Sequence, residues 1–176
     1  REQNLKLQRK KRLNRDTKHF VGRHEQIVQL RTWIEEEQAR LVFIWGMGGV
    51  GKTDLATKAI EKIGNEQENE FDSLWEFSLE QGPPLRKTLS EAIKFLSEQR
   101  EIKLPDDIDE LIARLINYLT ERRCLLLFDN AETVLAVKED DSYSNGNAQT
   151  YAELIRQLSV SSHQSCIIVT TREKPQ

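Results

Sequence analysis

No apolar run in this sequence approaches the roughly 18 residues that a membrane-spanning helix needs. The basic N-terminus is not followed by an apolar stretch, so no secretory signal is expected there. Cysteine is scarce. Cys124 and Cys166 each begin a strongly apolar run (CLLLF and CIIVT), and two thiols cannot build a tetrahedral zinc site. Both are expected to be small core residues. The three histidines, His19, His24 and His163, have no catalytic partner visible in the sequence, so none is assigned a catalytic role. A dominant charge is missing as well: the formal net charge is −3, which gives the whole molecule no pull toward nucleic acid. What is present is a 176-residue chain, 38% hydrophobic and 31% charged, long enough to bury the core of one globular domain. A cytoplasmic location with no membrane partner is the simplest expectation. The only methionine is Met47, and the chain stops at Lys174-Pro175-Gln176 straight after an apolar run, so it reads as a piece of something longer.

Residues 1–19 are basic: Arg1, Lys6, Arg9, Lys10, Lys11, Arg12, Arg15 and Lys18 stand against Glu2 and Asp16. Good helix formers and the lack of Gly or Pro predict a helix there. It serves either as a solvated connector from a preceding domain or as a basic arm for nucleic acid or an acidic partner. No aromatic residue is interleaved for base stacking, which weakens a single-strand-binding role. From residue 20 the pattern alternates. Helices are expected over 24–37, after the Gly-rich turn at 46–51, over 85–99, from 104 onward and around Tyr151 to Leu158. Strands are expected at 41–45, 74–77, 125–128 and 167–170, with an acidic linker at 64–70 and a polar loop at 138–148. Three of the strands are continuous apolar runs, as in a parallel sheet covered by helices on both faces. The architecture is α/β.

Gly46-Met47-Gly48-Gly49-Val50-Gly51-Lys52-Thr53 fits the phosphate-loop pattern G-x-x-x-x-G-K-[ST] in full, between an apolar strand and an amphipathic helix. Glycines there let backbone N–H groups curl around phosphate oxygens. The helix N-terminus adds partial positive charge directed at the anion. Lys52 is expected to reach the β- and γ-phosphates, and the Thr53 hydroxyl to bind Mg²⁺; Asp54 follows in the first turn. The ligand is thus ATP or ADP, with Mg²⁺.

A second group must help hold that metal, usually an Asp ending a neighbouring strand. Asp129 ends Cys124-Leu125-Leu126-Leu127-Phe128, and a carboxylate after five apolar residues is costly unless it meets a cation or solvent. Hydrolysis also needs a carboxylate beside the attacking water. Asn130 positions a water but cannot take its proton. Glu132 takes that proton if the backbone turns it inward, and is otherwise a solvated residue at a helix start. Slow turnover is expected either way. Val169-Thr170-Thr171-Arg172 brings hydroxyls and a guanidinium to the ligand-facing end of the last strand. Arg172 is either a sensor of the γ-phosphate, with Thr171 beside it, or a surface arginine at a strand end.

Together these motifs resemble the NB-ARC class of STAND signal-transduction NTPases over Phe20 to Pro175. Phe20-Val21-Gly22-Arg23 is similar to the hhGRxxE entry signature, although Gln26 stands where its glutamate belongs. The loop GMGGVGKT, the strand Cys124 to Asp129 and the strand Ile168 to Arg172 resemble the Walker A, Walker B and sensor motifs, closest to bacterial members with C-terminal repeats. The resemblance implies a three-layer, ASCE-type P-loop NTPase whose core strands lie in the order 2-3-4-1. It also implies that residues 20–176 form an incomplete nucleotide-binding domain, whose final strand, small helical domain and winged helix lie beyond Gln176. Val21, Gly22 and Arg23 would line the adenine and ribose end. Gly46, Gly48, Gly49, Val50, Gly51, Lys52, Thr53, Asp54, Thr171 and Arg172 would meet the rest of the nucleotide. Thr53 and Asp129 would serve the metal. Lys52, Asp129, Glu132 and Arg172 would carry any catalysis. Most members have a second acid where this chain has Asn130. The implied function is an ATP/ADP-controlled switch, with self-association, an N-terminal effector and C-terminal sensor repeats in the parent chain. A non-hydrolysing scaffold, a small P-loop kinase and a nucleic-acid-binding ATPase remain as alternatives.

Overall fold

The computed structural model describes residues 10–13, 17, 19–66, 71–101, 103–135 and 151–174. Five parallel strands form one sheet: β1 (Lys10–Arg12), β2 (Leu41–Trp45), β3 (Ser73–Ser78), β4 (Cys124–Asp129) and β5 (Cys166–Thr171), in the order β1-β3-β4-β5-β2. Setting β1 aside, this is the expected 2-3-4-1 order. The helices are α1 (His24–Arg31), continued by a π-helical turn at Thr32–Glu36, then α2 (Lys52–Glu66), α3 (Leu85–Leu96), α4 (Ile108–Glu121), α5 (Glu132–Leu135) and α6 (Tyr151–Val160).

Side chains alternate across the pleat, and that alternation sorts the core into two layers. Val42, Leu125, Leu127 and Ile168 meet Ile27, Leu30, Ile34, Leu55, Ala59 and Ile60 of α1, its π turn and α2. On the other face Leu126, Phe128, Ile167 and Val169 meet Leu89, Ile93, Leu111, Leu115, Leu154 and Leu158 of α3, α4 and α6. Both faces of β4 and β5 are therefore buried, which accounts for their unbroken apolar runs. Cys124 and Cys166 are free and buried, on opposite faces; burial pushes both thiols up to about 12.

The sequence-based expectations differ from the structure at several points. The basic N-terminal segment does not form a helix at Lys10–Arg12: those residues pair with Ser73–Trp75. Without them the N-terminal half of β3 would be a sheet edge with unpaired backbone groups, and tertiary pairing of this kind overrides a weak helix propensity. Helix α2 also runs on through Gly64 to Glu66, into the stretch read as a linker. The fourth helix begins later than expected, at Ile108, because Asp107 caps it by accepting the Glu110 N–H at 3.0 Å. The polar loop at 138–148 lies outside the described residues.

Candidate nucleotide-binding site

The C-terminal ends of β2, β4 and β5 meet the start of α2, and four backbone features shape the junction. Gly49 and Gly51 adopt φ of 78° and 80°, a region that a Cβ penalises, so the loop from β2 to α2 curls in a way that glycine makes accessible. Gly46 N–H donates to Thr171 O at 3.3 Å, which ties the loop's first residue to β5. Asn130 takes φ of 58°, a left-handed conformation that asparagine tolerates, and turns the chain from β4 into α5. Arg23, also left-handed, donates from Nη2 to Val50 O and so ties the entry segment to the loop.

The side chains converge on this frame. Lys52, only 8% exposed, donates from Nζ to Gly46 O at 2.8 Å and to Met47 O at 2.9 Å, fixing its charge at the inner face of the loop. Asp129, 2% exposed, accepts at Oδ1 from both Thr53 Oγ1 and Thr170 Oγ1, each at 2.6 Å. Its Oδ2 accepts from Asn130 Nδ2 at 3.2 Å. A carboxylate with three donors is held in one orientation, which offsets the cost of burying its charge.

A cleft of about 190 Å³ opens above these groups, lined by Gly48, Gly49, Gly51, Lys52, Thr53, Asp54, Asn130 and Arg172. A larger cleft, about 340 Å³, lies between the end of β3 and α3, beside Trp75, Phe77 and Thr88. The motif residues converge only on the smaller one.

Thr53 and Asp129 present hard oxygen donors suited to Mg²⁺. No group of three or more His, Cys, Asp or Glu that could cage a metal occurs among the described residues. The donor set fits an ion that keeps waters and takes its remaining ligands from a bound polyphosphate.

Several expected residues lie elsewhere. Val21 is 89% exposed and, with Gly22, lies outside the cleft lining; Gly22 O lies 3.2 Å from His24 Nδ1. Thr171 is buried on the opposite face of β5 from Thr170, and among the described residues its hydroxyl accepts only a long 3.4 Å bond from Glu173 N–H. Thr170 is instead the threonine that reaches the site. It was legible in principle, because Asp129 shares a sheet face with Leu125 and Leu127, and Thr170 shares it with Ile168. Glu132 does not line the cleft; its Oε1 lies 2.9 Å from Arg172 Nε.

The model of the NB-ARC domain family matches residues 23–175. The chain belongs to that family. It is 35% identical over 165 residues to an uncharacterized WD repeat-containing protein of Nostoc sp. (strain PCC 7120), covering 92% of this chain and 13% of that one. It is 28% identical over 167 residues to a nucleotide-binding leucine-rich repeat (NLR)-like protein of Hyaloscypha variabilis, covering 87% and 16%. This NB-ARC domain therefore spans less than a fifth of the curated relatives it matches. Among solved structures, that of Cdc6p from Pyrobaculum aerophilum superposes with a TM-score of 0.55 at 14% identity, covering 89% of this chain and 40% of that one. At that identity the likeness concerns the fold alone. The fold is an α/β P-loop NTPase domain.

Proposed function

We propose that this NB-ARC domain is the Mg²⁺-dependent ATP/ADP-binding switch of a longer cytoplasmic signalling protein, with slow ATP hydrolysis. The observation that carries the proposal is the joint placement of Lys52, Thr53 and Asp129 under a glycine-curled loop at a helix N-terminus. That arrangement suits a polyphosphate better than any other anion class. Lys52 and the loop amides would hold the β- and γ-phosphates, and Thr53 and Asp129 would hold Mg²⁺, which neutralises charge on those phosphates. Arg23, tied to Val50 O, would with Val21 and Gly22 meet the base and ribose, and Arg172, in the cleft lining, would meet the γ-phosphate. Hydrolysis would have water attack the γ-phosphorus as the bond to the bridging oxygen breaks, with Glu132 taking the water's proton once it is free of Arg172. In the parent chain, exchange of ADP for ATP would permit self-association and couple an N-terminal effector to C-terminal sensor repeats. Such a switch draws its energy from contacts made in only one nucleotide state.

Isothermal titration of Mg-ATP and Mg-ADP tests the site. Lys52→Ala should abolish binding of both nucleotides, and affinity close to that of the unmodified protein would contradict the assignment. One observation favours a second reading, a non-hydrolysing nucleotide-binding scaffold. Asn130, where the resemblance implies a second acid, donates to Asp129, and Glu132 is paired with Arg172. Single-turnover hydrolysis, with Glu132→Gln alongside, separates the two.

A further inference from the structure

Arg172 leaves the end of β5 with 66% of its side chain exposed, yet its Nε already lies 2.9 Å from Glu132 Oε1. The same guanidinium packs over the phosphate loop, since a Cβ on Gly48 would lie 3.6 Å from its Cζ and Nε. Arg172 thus stands at the rim of the cleft while bound to an anion of the protein's own.

The two partners are not equally free to move. Glu132 is the first residue of α5, its side chain is 19% exposed, and its Oε2 is shielded from solvent with no hydrogen-bond partner among the described residues. A shielded carboxylate oxygen without a donor keeps a strong demand for a cation. Arginine is the mobile member. Three nearby charges are otherwise engaged: Asp129 by Thr53, Thr170 and Asn130, Lys52 by the loop carbonyls, and Lys174 over the ring of Trp45.

We infer that Glu132 is a specificity-determining residue that sets the preference between nucleoside triphosphate and diphosphate, by competing with the terminal phosphate for Arg172. The inference rests on the nucleotide-binding reading above and adds a regulator to that site. A diphosphate leaves Arg172 on Glu132. A triphosphate must draw the guanidinium across the cleft rim, and the strength of the ion pair is subtracted from its binding. Glu132 therefore moderates the ATP preference that Arg172 would otherwise impose. The same movement releases the Glu132 carboxylate only when a γ-phosphate is present.

The test is the ratio of Mg-ATP to Mg-ADP affinity in the full-length protein, measured by calorimetry. Glu132→Gln removes the charge that competes. It should tighten ATP binding by about fivefold, the upper end for a partly exposed ion pair, and leave ADP binding unchanged. Glu132→Asp, which draws the carboxylate back by one methylene, should shift the ratio the same way by less, and stands in if the glutamine variant does not fold. In an Arg172→Gln background, Glu132→Gln should no longer move the ratio. The inference is overturned by an unchanged ratio, by equal shifts for both nucleotides, or by a Glu132 effect that persists without Arg172. Failure of the unmodified protein to bind either nucleotide would instead sink the nucleotide reading itself. Binding of both nucleotides with an immovable ratio would remove only the role of Glu132.

Discussion

Replacing Thr170 with valine removes one hydroxyl and nothing else of comparable size, so its consequences can be worked from two hydrogen bonds. Thr170 is fully buried; its Oγ1 donates to Asp129 Oδ1 at 2.6 Å and accepts from Asn130 N–H at 2.9 Å. The bond to the carboxylate is of the charge-assisted kind, worth about 1.5–3 kcal/mol. Asn130 is only partly buried, so water can reclaim some of the cost of its stranded N–H. Val and Thr are close in shape but differ by that hydroxyl, so no cavity adds to the loss. The expected loss is about 2–3 kcal/mol, a sizeable share of the roughly 5–15 kcal/mol that holds a domain folded. With a slope near 2 kcal/mol per molar, the urea midpoint should fall by about 1 M. Thr170→Ser, which keeps the hydroxyl, should recover most of it. Thr171→Val is the control, because its hydroxyl makes only the 3.4 Å contact on the opposite face, and it should cost less than about 1 kcal/mol. Thr170→Val should also weaken Mg-ATP binding more than metal-free ATP binding, since it loosens the acid assigned to the metal. Equal costs at 170 and 171, or a serine variant as unstable as the valine, would refute this reasoning.

Three further variants have outcomes that the structure dictates. Gly51→Ala meets no atom within 4 Å, so its cost comes from the backbone at φ 80°, about 1–2 kcal/mol. Because the same strain turns a loop amide, nucleotide affinity should fall at least about tenfold. Gly48→Ala places its Cβ at ordinary contact distance from Arg172 and should leave stability within about 0.5 kcal/mol; melts and titrations of the pair distinguish conformational from steric demands. Burial pushes His163 below its ordinary 6.5, against the opposing pull of the Leu158 carbonyl at 2.8 Å. As pH falls through 6.5 the unfolded chain takes up a proton that the folded chain resists, so stability is full above that pH and declines below it. Unfolding curves between pH 7 and 5 should be flatter for His163→Gln than for the unmodified chain, and parallel slopes would contradict this origin.

How much of this was legible in the sequence depended on how local each constraint is. The phosphate loop needs its glycines, lysine and threonine at fixed spacing in one segment, so the reading of residues 46–53 required no tertiary information. Asp129 was legible because a charge ending five apolar residues is anomalous on its own. The sheet order came from the family resemblance rather than from periodicity. Strand β1 was missed because its pairing with Ser73–Trp75 lies some sixty residues away and opposes local helix propensity. Thr171 was chosen over Thr170 because both hydroxyls sit at the right end of the strand, and composition does not say which face each occupies. The period-two rule, anchored on Asp129, does. Glu132 and Arg172 were singled out separately, yet nothing in either segment indicated that they face each other.

Asn130 shows how these levels meet in one residue. The turn out of β4 requires φ of 58°, which asparagine and aspartate tolerate better than most residues. Of the two, only asparagine can donate to Asp129 Oδ2 at neutral pH, because its amide carries the hydrogens there. A second carboxylate 3.2 Å away would set like charges against each other and push one of them to take a proton. With the amide in place, Asp129 is held in one orientation by three donors, as its proposed metal-binding role requires. The same choice places an amide rather than a proton acceptor in the cleft lining, while Glu132 is restrained by Arg172. An arrangement of that kind fits the nucleotide-holding role proposed above better than it fits rapid turnover.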